Sequence, residues 1–375
     1  MISHLIQSVN KDEKINLKDM CGKYSMDTIA SCVFGVDAGS FDPSNKESRF
    51  VRDAKSVMDL DLYTGIAFGA YSIPGLSHLM DLFKIPVYKP FEMKFFINTV
   101  TQTIRSRRET KLRRNDLIDL MIDAIKDELS DEAEDEHDDA DDEVKKALQS
   151  NQISKSKKLD ESKVIATAVV MLVAGYDTTA ITMSTCLWYL TQYPEIQKRL
   201  QEEIDETFEG SGNVLDSLDY AKIQGMEYLD QCIHETLRIN PPIGANWREC
   251  TLDYRIPGTD VVIPKGAEVH IPVRGIHLDE EVYPNPTTFD PDRFSKEAKS
   301  DRHPMSFLGF SQGPRNCIGL RFALLELKVG LIKILKEYEI MACADTPKEF
   351  TLDPASMTCN SKDPLWVKAK PRGNL

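Results

Sequence analysis

Apolar positions recur at helical spacing along most of this chain. Leu17, Met20, Tyr24, Met26, Ile29, Ala30 and Val33 share one face of a helix expected over residues 16–35, closed by Gly35 and followed by a Ser-, Asp- and Pro-containing loop. The same criterion predicts helices over 46–59, 88–113 and 115–127, whereas 62–86, broken by glycines and two prolines, gives no clear element. The densest helical signal spans 159–192, 194–208 and 226–239, and Pro194 stands where proline opens a helix. After Pro241 the texture changes to short β-rich segments punctuated by Pro and Gly, Tyr254 to Gly266 and Val269 to Val273. An unpatterned, Pro-rich stretch over 283–304 leads to a Gly-containing loop and a last helix over 319–338, after which strand-like residues return. The expected fold is mainly α with a minor β-sheet and no internal repeat.

Composition narrows the class. The 375 residues are 41% hydrophobic and 28% charged, an ordinary globular balance that excludes collagen-like, coiled-coil and small disulfide scaffolds. The net charge of −14 argues against nucleic acid as partner. Twelve acidic residues and no Lys or Arg lie in 127–143, so the remainder carries −14 minus −12, or −2. We read that acidic run as a surface loop with helical ends, too poor in apolar residues to offset its ordering entropy. Eight cysteines are scattered without a C-x-x-C pair, which fits neither a zinc site nor a disulfide framework. The longest nearly apolar run, 164–176, is shorter than the ~20 residues that span a bilayer. No signal peptide is visible.

The most informative stretch is Phe310-Ser-Gln-Gly-Pro-Arg-Asn-Cys-Ile-Gly, running from a loop into the last helix. A cysteine at a helix N-terminus has its thiolate stabilised by unpaired N–H groups, and Arg315 adds positive charge. Gly313 and Gly319 lack Cβ atoms, and Ala323 continues the small face one turn on, so a flat ligand can approach closely. Taken alone, Cys317 would more often be an inert small hydrophobe. The complete pattern F-x-x-G-x-R-x-C-x-G, however, resembles the haem-binding signature of the cytochrome P450 family, haem-thiolate monooxygenases. The resemblance implies haem b with Cys317 as iron ligand and Phe310, Gly313, Arg315, Gly319 and Ala323 around the cofactor. Ser311 stands where many members have Gly.

Three further segments, in the right order, carry the same resemblance. Ala174-Gly-Tyr-Asp-Thr-Thr, mid-way along the long apolar helix, resembles the oxygen-activating motif. Gly175 opens space, and the Thr178 hydroxyl can bond the Ala174 carbonyl and loosen the helical ladder into a notch. Asp177 and Thr178 are the expected catalytic pair for proton delivery, with Ala174 and Gly175 beside the cofactor. Glu235-Thr-Leu-Arg238 and Phe289-Asp-Pro-Asp-Arg-Phe resemble the E-x-x-R and P-x-R-F segments, implying a structural triad of Glu235, Arg238 and Arg293. Arg248, with Arg315, falls where animal members hold the haem propionates. Ile243, Gly244, Ala245, Asn246, Ala355 and Ser356 would border the substrate. An ordinary turn and strand is the alternative for these positions. His234 and His303 are read as surface or loop residues.

The resemblance covers essentially the whole chain and is strongest to animal microsomal members that oxidise xenobiotics and steroids. It divides the chain into a helical N-terminal part (1–115), an acidic linker (116–158) and a haem-binding core (159–375). In the family a membrane anchor, the first strands and a W-x-x-x-R helix come earlier, and no W-x-x-x-R precedes the oxygen motif here. A P450 fold lacking its N-terminal portion is therefore expected. The implied activity inserts one atom of O2 into a lipophilic xenobiotic, steroid or fatty-acid-like substrate. Electrons would come from NADPH through NADPH-cytochrome P450 reductase, at the cytoplasmic face of the endoplasmic reticulum membrane. Arg315, Arg321 and Lys328 would help dock that acidic partner. Two other readings are a haem-thiolate isomerase or peroxide-dependent enzyme, and a non-catalytic relic.

Overall fold

The computed structural model describes residues 13–42, 48–58, 62–71, 73, 76–130, 161–209 and 219–373. Helix accounts for 57% and strand for 9%, so the sheet content is minor, as the sequence texture implies. Most of the acidic run lies outside the described residues.

The chain divides into two compact units, residues 26–174 and residues 1–25 with 175–375. In the first, helix α1 (Leu17–Ile29), which begins in the other unit, gives way to a π-helical turn at Ala30–Phe34. Its end is set by Gly35, whose φ of 67° is left-handed and whose N–H bonds the Ser31 carbonyl. Among the described residues of this unit there follow α2 (Arg49–Met58), α3 (Leu62–Tyr71), α4 (Leu76–Leu82), α5 (Pro90–Thr110) and α6 (Leu117–Ser130). Helices α3 and α4 occupy the region whose glycines and prolines masked any period. Phe34, Phe50, Phe95 and Phe96 meet edge to face, with Phe34 and Phe50 at 5.3 Å and Phe50 and Phe96 at 5.2 Å between centroids. Beside them, buried Arg107 of α5 bridges Asp116 and, at 2.8 Å, Asp119. That guanidinium lies against Gly35, where a Cβ would stand 2.2 Å from Arg107 Nη2.

Helix α7 (Glu161–Gln192) runs from the first unit into the second. Its 32 residues exceed the length read from the apolar run, and by length and composition alone it could cross a membrane. Its second half is instead buried in protein: Met183, Cys186, Leu187 and Leu190 are inaccessible. The second unit adds α8 (Pro194–Thr207), α9 (Tyr220–Gly225), α10 (Glu227–Ile239), α11 (Val273–His277), α12 (Lys296–Ser300) and α13 (Leu320–Glu337). Among the described residues its strands form three small antiparallel sheets. β1 (Ile15–Asn16), β7 (Trp366–Pro371) and β6 (Tyr338–Ala342) lie in that order; β2 (Asn246–Glu249) pairs β5 (Glu268–Ile271); β3 (Tyr254–Arg255) pairs β4 (Val262–Ile263). Gln197 of α8 ties helix to sheet, donating to the Leu190 and Ile340 carbonyls and accepting from the Ile340 N–H. Both ends of that amide are satisfied inside the core.

Gly35→Ala should lower the urea-unfolding free energy by about 1–3 kcal/mol, because the new Cβ meets both a left-handed backbone and the buried Arg107. An unchanged midpoint would show that neither constraint operates.

Candidate functional site

The second unit is organised around one buried ion pair. Glu235 and Arg238 sit three residues apart on α10, both fully inaccessible, and Arg238 Nε and Nη2 each donate to the carboxylate at 2.7 Å. Burial alone would discharge the acid, so its remaining acceptor capacity is filled from another segment: Asp290 N–H donates at 3.0 Å. Arg293 approaches the same carboxylate with Nε at 3.5 Å. Arg238 Nη1 donates to the His277 carbonyl at 2.8 Å, and Nη2 also donates to the Thr288 carbonyl at 3.4 Å. The three residues read from the sequence as a triad are thus brought together, and they hold 277, 288 and 290 against α10.

His277 is the residue that sequence reasoning missed. Its ring is inaccessible and stacked on Phe307 at 5.2 Å. Nδ1 meets the Arg238 carbonyl at 3.0 Å, and the Leu308 N–H donates to Nε2 at 2.7 Å. Accepting at Nε2 fixes the neutral tautomer with Nδ1–H donating. One imidazole therefore joins the E-x-x-R helix to the first residues of the cysteine loop. Burial pushes its pKa down to about 4. The sequence carried no signal for it: His277 has no partner at recognisable spacing, and the short helix Val273–His277 that it ends was not predicted.

The loop itself is a run of tight turns. Ser311 and Gly313 both have left-handed backbones, with φ of 60° and 80°. The departure from Gly at 311 is therefore a strained one. A 3-10 turn covers Gly313–Arg315, and Gly319 caps α13. The helix starts at Leu320, so Cys317 precedes its first turn by three residues rather than standing within it. Its backbone is held from both sides: Cys317 N–H donates to the Phe310 carbonyl at 2.8 Å, and its carbonyl accepts from Leu320 N–H at 3.4 Å. Cys317 is the exposed one of the eight cysteines, none of which is in a disulfide. Ile318 is 86% and Phe322 38% exposed beside it, an apolar surface around a single sulfur. No Cβ neighbour crowds Gly313, and Ala323 is half-buried one turn into the helix.

The oxygen-motif residues lie on α7, which is α-helical through 174–178. The Gly175 carbonyl takes an external donor, the Ser25 hydroxyl at 3.3 Å. Ala174 is exposed, and Gly175, Asp177 and Thr178 are half-buried. Asp177 Oδ2 accepts from Thr358 Oγ1 at 2.8 Å. The two weakly assigned segments also meet: Cys359 N–H donates to the Pro242 carbonyl at 2.8 Å, and a Cβ on Gly244 would be 2.9 Å from Cys359 Sγ. Ile243 is 42% exposed, Ala245 is half-buried, Asn246 begins β2 opposite Ile271, Ala355 is exposed and Ser356 half-buried. Arg248, half-buried on β2, donates to the Trp247 carbonyl, while Arg315 is exposed.

Two expectations need correction. Lys328 is not a docking residue: it is 1% exposed, with Nζ 3.3 Å from Asp230 and 3.5 Å from the Ile223 carbonyl. Burial opposes the charge of Asp230, but His234, Lys328 and Lys299 outweigh it and hold the carboxyl well below the ordinary range. His234 is half-buried rather than on the open surface, lying against Phe294 and Phe307 with Nδ1 at 2.7 Å from the Asp230 carbonyl. Exposed His303 caps the turn at Pro304–Ser306. The helical period placed both Lys328 and His234 correctly along their helices but carried no information about the neighbouring helix.

The family model for cytochrome P450 matches residues 1–367. This chain belongs to the cytochrome P450 family, whose members are haem-thiolate monooxygenases. It is 33% identical to cytochrome P450 3A41 of Mus musculus over 99% of its length and 68% of the relative's. Probable cytochrome P450 6a14 of Drosophila melanogaster is 34% identical over 96% of this chain and 67% of its own length. Cytochrome P450 3A29 of Sus scrofa is 31% identical, with 99% and 68% covered. The chain thus spans about two thirds of the length of these relatives.

Two outcomes follow from this P450 geometry. The unfolded imidazole takes up a proton below about 6.5 that folded His277 refuses until about 4, so stability is full above that window and falls as pH drops through it. Urea titrations should lose about 2 kcal/mol more in wild type than in His277→Gln between pH 7 and pH 5; parallel losses would remove His277 from the linkage. Ser311→Gly should raise stability by roughly 0.5–1 kcal/mol by relieving the left-handed serine, and a destabilised variant would mean that the serine side chain has a compensating role.

Proposed function

We propose that this chain is a haem-thiolate monooxygenase with Cys317 as its iron ligand, inserting one atom of O2 into a lipophilic organic substrate of the xenobiotic, steroid or fatty-acid-like class. The observation that carries the reading is the exposed, unpaired Cys317 sulfur, on backbone fixed from both sides and surrounded by exposed Ile318 and Phe322. These residues fit a haem. A soft anionic donor suits iron, an apolar surround suits the porphyrin, and the space over Gly313 leaves room for close approach. Phe310, Gly319 and Ala323 would complete that surface, and Arg315 and Arg248 would receive the propionates.

Bound haem supplies the dioxygen chemistry; the chain's own groups do the rest. The backbone bond from Cys317 to Phe310 keeps the sulfur from swinging with the loop. Glu235, Arg238, Arg293 and His277 hold that loop from behind, which is a structural task. Asp177 and Thr178, beside Ala174 and Gly175, would hold and pass protons, since a half-buried carboxylate next to a hydroxyl on one helical turn can do both. Ile243 to Asn246 and Ala355 to Ser356 would face the substrate, a reading supported by the Cys359–Pro242 bond that joins the two segments. Electrons would come from NADPH through NADPH-cytochrome P450 reductase, with exposed Arg315 and Arg321 as docking charges. We place the protein at the cytoplasmic face of the endoplasmic reticulum membrane, the location that its resemblance to animal microsomal members implies.

The test is the absorption spectrum of the reduced, carbon-monoxide-treated protein produced with ample hemin. A thiolate-type band that disappears in Cys317→Ser is expected. A band retained in the variant would assign another ligand, and no band from well-folded protein would favour the non-catalytic reading.

A further inference from the structure

Asp177 is approached by a segment far from it in sequence. The loop over 353–361 is fixed at several points: Asp353 N–H bonds the Asn360 carbonyl at 2.9 Å, Cys359 N–H bonds the Pro242 carbonyl, and Lys18 Nζ donates to the Ser361 carbonyl at 2.8 Å. Thr358 projects from this braced turn and donates its hydroxyl to Asp177 Oδ2 at 2.8 Å. A threonine hydroxyl has a single hydrogen, and a carboxylate only accepts, so that hydrogen is committed to Asp177. The 3.1 Å contact between Ser356 Oγ and Thr358 Oγ1 must then run from serine to threonine. Ser356 Oγ in turn accepts the Thr358 N–H at 3.3 Å. The hydroxyls therefore form a directed chain, from Ser356 through Thr358 to Asp177, on a loop that cannot move freely. Burial pushes the pKa of Lys18 down, and the neighbouring charges of Asp177 and Asp353 offset part of that shift.

We infer that Thr358 is the positioning residue for Asp177, fixing the orientation of its carboxylate, with Ser356 aiming the threonine hydroxyl. This rests on the reading of Asp177 as proton carrier in the proposed oxidation. The role gives the C-terminal loop a task in catalysis besides lining the substrate space, because a carboxylate that delivers protons must keep one oxygen turned towards its target. The role assigned to Thr358 runs through Asp177.

The test uses the full chain with Thr358→Val, which keeps the shape and removes the donor, and Thr358→Ser, which restores it. Infrared difference spectra with isotope-labelled aspartate, in which Asp177→Asn identifies the Asp177 band, read the carboxylate directly whether or not the protein is loaded with haem. Thr358→Val should displace that band and Thr358→Ser return it. In the haem-loaded protein with reductase, Thr358→Val should slow NADPH oxidation about two- to tenfold, the weight of one net hydrogen bond, with greater slowing in heavy water. Asp177→Asn should slow it about a hundredfold, the low end for a positioned proton donor.

An Asp177 band unmoved by Thr358→Val overturns the proposal. If Asp177→Asn slows turnover and Thr358→Val does not, the positioning role alone is overturned. If Asp177→Asn itself leaves the rate and the heavy-water effect unchanged, the parent reading of Asp177 fails, whatever the band shows. Should Thr358→Val not fold, Ser356→Ala decides: losing the donor behind Thr358 must displace the Asp177 band, and a stationary band overturns the claim.

Discussion

A carboxylate and a guanidinium with no access to water set the terms for the second unit. Neither Glu235 nor Arg238 could be there alone, because an isolated buried charge costs far more than the unit's net stability. Together they have more hydrogen-bonding capacity than they can spend on each other. The surplus is taken up by the Asp290 N–H and by the carbonyls of His277 and Thr288. The end of α11 and the irregular segment over 288–290 are thereby pinned to α10. The pair contributes definition of backbone more than net stability, which is the use that justifies a buried ion pair.

From there the order passes by neutral contacts. His277 takes the Arg238 carbonyl on one nitrogen and the Leu308 N–H on the other, so a ring that must be uncharged relays the position of the ion pair to the loop. Left-handed turns at Ser311 and Gly313 then fold the chain back until Cys317 N–H meets the Phe310 carbonyl. The sulfur ends exposed although nearly everything behind it is buried. An exposed thiol on a rigid mount is a poor core residue and a good ligand, and this contrast distinguishes Cys317 from buried Cys21, Cys186 and Cys232, whose thiols burial pushes upwards.

The other half of the site follows a different logic. Asp177 lies on a long, regular helix, and its partner comes from a turn near the C-terminus. Helix α7 supplies a fixed frame, while the loop over 353–361 supplies the hydroxyls. That loop is in turn braced on Pro242 and on Lys18, so groups from four parts of the sequence determine where one carboxylate points.

Periodicity alone located the long helices to within a few residues: those over 17–29, 90–110, 194–207, 227–239 and 320–337 were all legible. The spacing of Phe310, Gly313, Arg315, Cys317 and Gly319, and of Glu235 and Arg238, was legible too, since these groups lie within one or two turns of each other in sequence. Helices α3 and α4 were not, because glycines and prolines interrupt their pattern. Local sequence could not reveal that Lys328 is buried, that His234 lies against Phe294 and Phe307, that His277 bridges Arg238 to Leu308, or that Thr358 meets Asp177. Each of those facts depends on which element packs against which, and a side chain's burial and partners are settled by the neighbouring element, whose place only the folded chain decides.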